Sequence, residues 1–186
     1  MADYSWNGSP IHVVRLETCA STQAVAQQQL AAGTGAVLVV AEHQTDGRGR
    51  QGRTWSSHPG KSLVLSIGWS EGIAAEHLDG LSLRVARAVA ATLSAASGAS
   101  IEACAPNDLV SGSPPRKVGG ILIDSRTVGS AVTALVLGLG INVLGEPFCI
   151  AGREAPTLAA ISGAAPDMRT TEGQVVQTIL HVVGAA

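Results

Sequence analysis

Apolar positions along this chain fall into two rhythms, and the expected elements follow from them. Short unbroken apolar runs at residues 37–42 and Ser62–Trp69 read as buried strands, and residues 11–16 read as a strand ahead of a helix. That helix covers residues 23–32, with Ser21-Thr22 offered as its cap and Gly33 as its stop. The longest three-to-four repeat places Leu81, Val85, Ala88, Val89, Thr92 and Leu93 on one face of a core helix over residues 78–96, stopped by Gly98. Residues 101–103 start a strand and Pro106-Asn107-Asp108 makes a turn. Residues 111–115 form an exposed hairpin tip, followed by strands at residues 118–124 and 131–139. Helices at residues 157–161 and 172–183 complete the order.

Strands and helices alternate without a regular βαβ beat, which predicts an α+β domain with a mixed, largely antiparallel central sheet and flanking helices. At 186 residues, one domain spanning 1–186 is expected. A content of 46% hydrophobic against 14% charged residues excludes a disordered chain. A net charge of −2 excludes a global field for DNA or an acidic membrane, so the basic character is local to Arg48, Arg50, Arg53 and Lys61. Cys19, Cys104 and Cys149 have no metal-binding or disulfide spacing and read as buried small apolar residues. No leader or membrane span is evident, so a cytoplasmic protein is expected.

Candidate chemistry centres on residues 47–55, Gly-Arg-Gly-Arg-Gln-Gly-Arg-Thr-Trp. Glycines allow a backbone to approach a ligand closely, arginines supply forked donors for carboxylate and phosphate, and tryptophan supplies a flat apolar wall. The run also contains the dinucleotide pattern GxGxxG. That pattern works only when its glycines open a helix, whereas here the chain runs on into a strand, so the nicotinamide reading is rejected. Three further polar groups stand at strand ends or loops: Ser21-Thr22-Gln23, Asn107-Asp108 with Lys117, and Asn142. Each alone has a structural explanation as a cap, a turn or a solvated strand start.

Together these stretches resemble the catalytic domain of the biotin protein ligases. Residues 42–55, from Glu42 through Gln44 to Trp55, resemble the family's arginine-rich biotin loop. Pro106-Asn107-Asp108-Leu109 with Arg116-Lys117-Val-Gly119-Gly120 resembles a second signature, and Gly138-Leu-Gly-Ile-Asn142 a third. The resemblance implies the fold shared with class II aminoacyl-tRNA synthetases. It also implies an enzyme that joins biotin to ATP with Mg2+, giving biotinyl-5′-AMP, and passes the biotinyl group to a lysine of a biotin carboxyl carrier protein.

On that resemblance Ser21, Thr22, Gln23 and Gln44 bind biotin, with Gly47, Gly49, Gly119 and Gly120 shaping the site. Arg48 and Arg50 wrap the adenylate and, with Lys117, are catalytic. Arg50, Arg53, Asn107, Asp108, Lys117 and Asn142 contact the nucleotide, Asp108 and Asn142 through the metal, and Trp55 packs the loop against the acyl chain. The loop is expected to order over its ligand. Relatives also carry a small C-terminal SH3-like barrel, expected to be absent here, and no helix-turn-helix is expected ahead of the domain, so DNA is not an expected partner. A homodimer through an exposed sheet edge is left open.

The chain departs from the pattern at Cys104-Ala105, where the family usually has Lys-Trp, and at Gln23, where asparagine is usual. These departures motivate an alternative, a non-catalytic biotin or adenylate binder. A more distant alternative is an octanoyl or lipoyl transferase using Lys117 and Cys149 without ATP.

Overall fold

The computed structural model describes residues 4–185 except 72, 130 and 151. The N-terminal strands β1 (Ser5–Trp6) and β2 (Ser9–Pro10) turn at Asn7-Gly8, both in the left-handed region, before β3 (His12–Cys19), α1 (Thr22–Ala31) and β4 (Ala36–Gln44). The arginine loop is a miniature hairpin of β5 (Gly47–Arg48) and β6 (Thr54–Trp55) leading to β7 (Ser62–Trp69). After α2 (Leu81–Ser97) come β8 (Glu102–Cys104), β9 (Asp108–Ser111), β10 (Arg116–Val128) and β11 (Ala131–Asn142). A second small hairpin, β12 (Phe148–Ile150) with β13 (Arg153–Ala155), precedes α3 (Leu158–Ser162) and α4 (Met168–Gly184).

Seven strands form the central sheet in the order β3-β4-β7-β11-β10-β9-β8. Only β3 and β4 run parallel, because α1 carries the chain back between them; every other neighbouring pair is antiparallel. The sheet is therefore mixed and largely antiparallel, with one βαβ unit that the irregular element order had not suggested.

Period-2 alternation sends the two faces of each strand to different partners. Leu38 and Val40, Leu65 and Ile67, and Leu135, Leu137 and Leu139 point into the main core with α2 and α4. On the opposite face Val37, Val39 and Val136 pack under Ala26 and Leu30 of α1. That second face thins toward its far end, where Ser66, Gly138, Gly140 and Gly120 replace large side chains in register: Gly120 opposes Gly140, and Gly138 opposes Ser66. A shelf of small residues beside α1 leaves room for a ligand.

Several boundaries differ from the sequence expectation for identifiable reasons. The core helix starts at Leu81 because Gly80, left-handed at φ 65°, separates it from a short 3-10 turn at Ala75–Leu78. The last helix starts at Met168, four residues early, because the Asp167 side chain accepts from Thr170 N at 2.7 Å and caps a polar first turn. Cys104 and Cys149 are exposed and Cys19 is half-buried, so the reading of all three as buried apolar residues fails. Burial pushes the Cys19 thiol above its usual range. Among the described residues no helix is long and apolar enough to cross a membrane.

An ion pair fastens the outermost strand to α4. Arg15 donates to both carboxylate oxygens of Glu172, at 3.0 and 2.6 Å, and Glu172 is only 4% exposed. The same hydrogen bonds raise the Arg15 guanidinium further above its already high range.

Candidate functional site

A cavity of about 760 Å³ opens on the α1 face of the sheet, over the small-residue shelf. Its floor is neutral and polar. The backbone N–H of Thr22, at the start of α1, donates to Gln44 Oε1 at 2.7 Å, and the Thr22 hydroxyl lies 3.0 Å from the same oxygen and 2.9 Å from Ser66 Oγ. Ser66 donates to Gln23 Oε1 at 3.1 Å. Gln23 Nε2 donates to Val136 O at 3.0 Å and to Asp124 Oδ2 at 3.1 Å. Ser21 occupies the N-cap position of α1 without making a side-chain capping bond and lines the cavity, as does Thr22.

The cavity's roof is the arginine loop. Gln51 and Gly52 both adopt left-handed backbone, φ 57° and 72°, which lets the chain reverse between Arg50 and Arg53 as hairpin turns require. Gly49 N donates to Arg53 O at 2.7 Å and closes the turn. Gly47 carries no side chain because a Cβ there would overlap the Trp55 carbonyl and crowd the Gln44 amide. Trp55 lies against Gly140, where any Cβ would collide with the indole.

The cavity's mouth gathers charge. Lys117 Nζ lies 2.6 Å from Asp108 Oδ1 and 5.9 Å from the centroid of Trp55. Arg50 Nη1 donates to Asn107 Oδ1 at 3.5 Å, and Arg116 pairs with Glu154 across the rim. Arg48, Arg50, Arg53, Arg116 and Lys117 thus face two carboxylates, Asp108 and Glu154, each already paired. The remaining arginines have no carboxylate partner among the described residues, so the outer cavity favours an anion. On the wall, Asn142 is the last residue of β11, buried at 1% exposure; its Nδ2 reaches Pro156 O at 3.4 Å while Oδ1 has no partner.

Of the residues singled out from the sequence, Ser21, Thr22, Gln23, Gln44, Arg48, Gly49, Arg50, Arg53, Trp55, Asn107, Asp108, Lys117, Gly120 and Asn142 all line this one cavity. Gly47 and Gly119 do not; they allow close backbone approach, Gly119 to Gly140 O at 2.6 Å from its ideal Cβ. Gln23 differs from expectation in a second way, since its carboxamide is fully engaged with protein atoms. Cys149 lies outside the cavity, whereas Cys104 lines it. Ser66 and Glu154 were missed. Ser66 had one legible signal, a hydroxyl in the middle of an otherwise apolar strand.

The family model for the biotin/lipoate A/B protein ligase family matches residues 17–142, the segment that builds the floor, the roof and all of the mouth described above except Glu154. The chain belongs to that family. It is 31% identical over 172 residues to the bifunctional ligase/repressor BirA of Bacillus subtilis, covering 91% of this chain and 51% of that protein. It is 32% identical over 153 residues to a biotin–[acetyl-CoA-carboxylase] ligase of Mycobacterium tuberculosis, covering 76% of this chain and 54% of that protein. The chain therefore spans about half the length of these relatives. Among solved structures, biotin protein ligase from Aquifex aeolicus in complex with biotin and ATP superposes with a TM-score of 0.76 at 26% identity, over 92% of this chain and 70% of that one. The Leishmania major biotin protein ligase in complex with biotin gives 0.75 at 26% identity, over 94% of this chain and 74% of that one.

Proposed function

We propose that this chain is a biotin protein ligase that activates biotin with ATP and transfers it to a lysine of a biotin carboxyl carrier protein. The observation that carries the reading is the division of one cavity into a neutral hydrogen-bonding floor and a cationic mouth, which suits a molecule with a polar uncharged head and a carboxylate tail. With Gln44 Oε1 turned to the Thr22 N–H, the Gln44 nitrogen is left as a donor, and Thr22 Oγ1 stands beside it as an acceptor. Donor beside acceptor complements the C=O and N–H of a cyclic urea. Leu122 and the glycine shelf of Gly138 and Gly140, with the Trp55 ring, flank the path of an acyl chain toward Lys117.

In the first step a carboxylate oxygen of biotin bonds to the α-phosphorus of ATP as the bond to pyrophosphate breaks. Two anions approach each other, and stabilisation comes from donors already fixed where charge accumulates. Lys117 and Arg50 hold the carboxylate and phosphate oxygens, and Arg48 and Arg53 cover the adenylate from the loop. In the second step the acceptor lysine nitrogen bonds to the acyl carbon, AMP leaves with the bonding electrons, and the amine gives up its proton.

Mg2+ fits as an ion bound jointly with the nucleotide phosphates. Among the described residues no group of three His, Cys, Asp or Glu side chains gathers to hold a metal by protein atoms alone. Asp108 and the unpartnered Oδ1 of Asn142 are hard oxygen ligands of the type such an ion accepts. Bound there, it would neutralise phosphate charge.

The carrier-transfer assay tests the reading. With biotin, ATP, Mg2+ and an isolated carrier domain, the expected result is a biotinylated carrier lysine. Biotin binding without pyrophosphate release would point to the non-catalytic binder, and acyl loading of Cys149 without ATP to the transferase.

A further inference from the structure

The cavity floor carries a proton inventory that fixes its polarity. A carbonyl oxygen and a carboxylate only accept hydrogen bonds, so Val136 O and Asp124 Oδ2 together hold the Gln23 carboxamide with its nitrogen toward them. Its oxygen is thereby turned to Ser66, 3.1 Å away, and takes the single Ser66 hydroxyl proton. Ser66 Oγ then acts as an acceptor toward Thr22, at 2.9 Å. Thr22 has one hydroxyl proton and two protein acceptors for it, Ser66 Oγ and Gln44 Oε1. The proton stays in the protein, and the side of Thr22 Oγ1 that faces the cavity is a lone pair. Gly138 makes the arrangement sterically possible, since its ideal Cβ would stand 2.5 Å from Gln23 Oε1.

We infer that Gln23, anchored by Asp124 and Val136 and acting through Ser66, is a positioning residue that keeps Thr22 an acceptor for a ligand N–H. This inference rests on the biotin reading. It assigns Gln23 no ligand contact through its carboxamide, because both ends of that group are engaged by protein atoms. Losing the Ser66 hydroxyl removes one of the two acceptors, and losing Gln23 frees the Ser66 proton to be donated to Thr22 Oγ1; either change leaves Gln44 Oε1, which already accepts the Thr22 backbone N–H at 2.7 Å, to hold the Thr22 proton. The proton can then turn into the cavity and oppose the ligand's own N–H.

Calorimetric titration of biotin into the unaltered chain, Gln23→Met, Ser66→Ala and the double variant tests this. Each single variant is expected to raise the Kd about fivefold, the scale of one misdirected neutral hydrogen bond. The double variant is expected to match the singles at about fivefold, because both changes break one chain of bonds, whereas independent structural loosening would multiply to about 25-fold. A multiplied effect, or a Kd unchanged in Ser66→Ala, overturns the inference. If Gln23→Met does not fold, Ser66→Ala alone decides it by showing the loss or not. Failure of the unaltered chain to bind biotin would overturn the biotin reading itself and the inference with it.

Discussion

The indole of Trp55 occupies the space that a side chain at Gly140 would fill. A loop residue and a strand residue 85 positions apart thus define one wall of the cavity. Gly140 has ordinary negative-φ or extended backbone, outside the left-handed set, so an alanine there is resisted by the indole alone. Gly140→Ala is expected to keep the fold and displace Trp55, raising the Kd for biotin by about fivefold, one lost aromatic contact being worth roughly 1 kcal/mol. Titration of biotin into the folded variant checks this; unchanged affinity would remove Trp55 from the wall.

Lys117 is held by Asp108 at 2.6 Å, at the cavity mouth where the proposed reaction would bring carboxylate and phosphate together. Lys117→Ala is expected to lower the rate of adenylation by on the order of 100-fold, since a charge-assisted hydrogen bond contributes about 1.5–3 kcal/mol. Single-turnover pyrophosphate release measures it. Retained activity would exclude Lys117 from the chemistry.

Most of the site's membership was legible in the sequence, because the residues that touch one another sit in short runs whose spacing survives folding. Ser21-Thr22-Gln23 arrives at the cavity as a unit at the start of α1, and the arginine loop and the pairs around Asn107 and Lys117 each as a unit at a strand end or hairpin. Relationships between units were less legible. Gln23 could be recognised as polar, but its commitment to Val136 and Asp124 depends on register across β10 and β11, where Asp124 opposes Val136. The Asn7-Gly8 hairpin differs in kind, since Asn-Gly between short strands is itself a strong turn signal. β9 was hidden by its length of four residues next to a Pro-Asn-Asp turn.

Stability away from the site depends on the Arg15–Glu172 pair. Glu172 is buried, so Arg15→Met leaves its carboxylate with only the exposed Arg169, 3.9 Å away, and is expected to cost about 3 kcal/mol, read as a lowered urea midpoint. Arg15→Met with Glu172→Leu is expected to recover most of the loss. A double variant no more stable than the single one would show that the pair contributes more than compensation for burial.

Acid should weaken the last helix first at its cap. The hydrogen bonds from Thr170 hold the Asp167 carboxyl below its usual range. A depressed folded-state pKa gives stability that is present above the unfolded carboxylate pKa and is lost as pH falls through the folded value. Asp167→Asn keeps an acceptor without the charge, so its melting temperature is expected to fall less between neutral and acidic pH than that of the unaltered chain. Parallel melting curves across that window would reveal no such difference if the cap carried no linkage.

Ligand closure has its own signature. Amide exchange over residues 47–55 is expected to slow when biotin and ATP are added together, as the glycine-rich hairpin orders over the adenylate. Cys104, exposed in the cavity, should be protected from alkylation under the same conditions, while Cys149, exposed outside it, should not. Equal protection of both thiols would detach the labelling from the cavity.

The floor and mouth of one cavity are expected to unite biotin with ATP. Exchange of labelled pyrophosphate into ATP, measured with and without biotin in the presence of Mg2+, tests it most directly. Exchange is expected to require biotin and to fall on the order of 100-fold in Lys117→Ala. Exchange that proceeds equally without biotin, or none at all from a folded chain that binds both ligands, would contradict it.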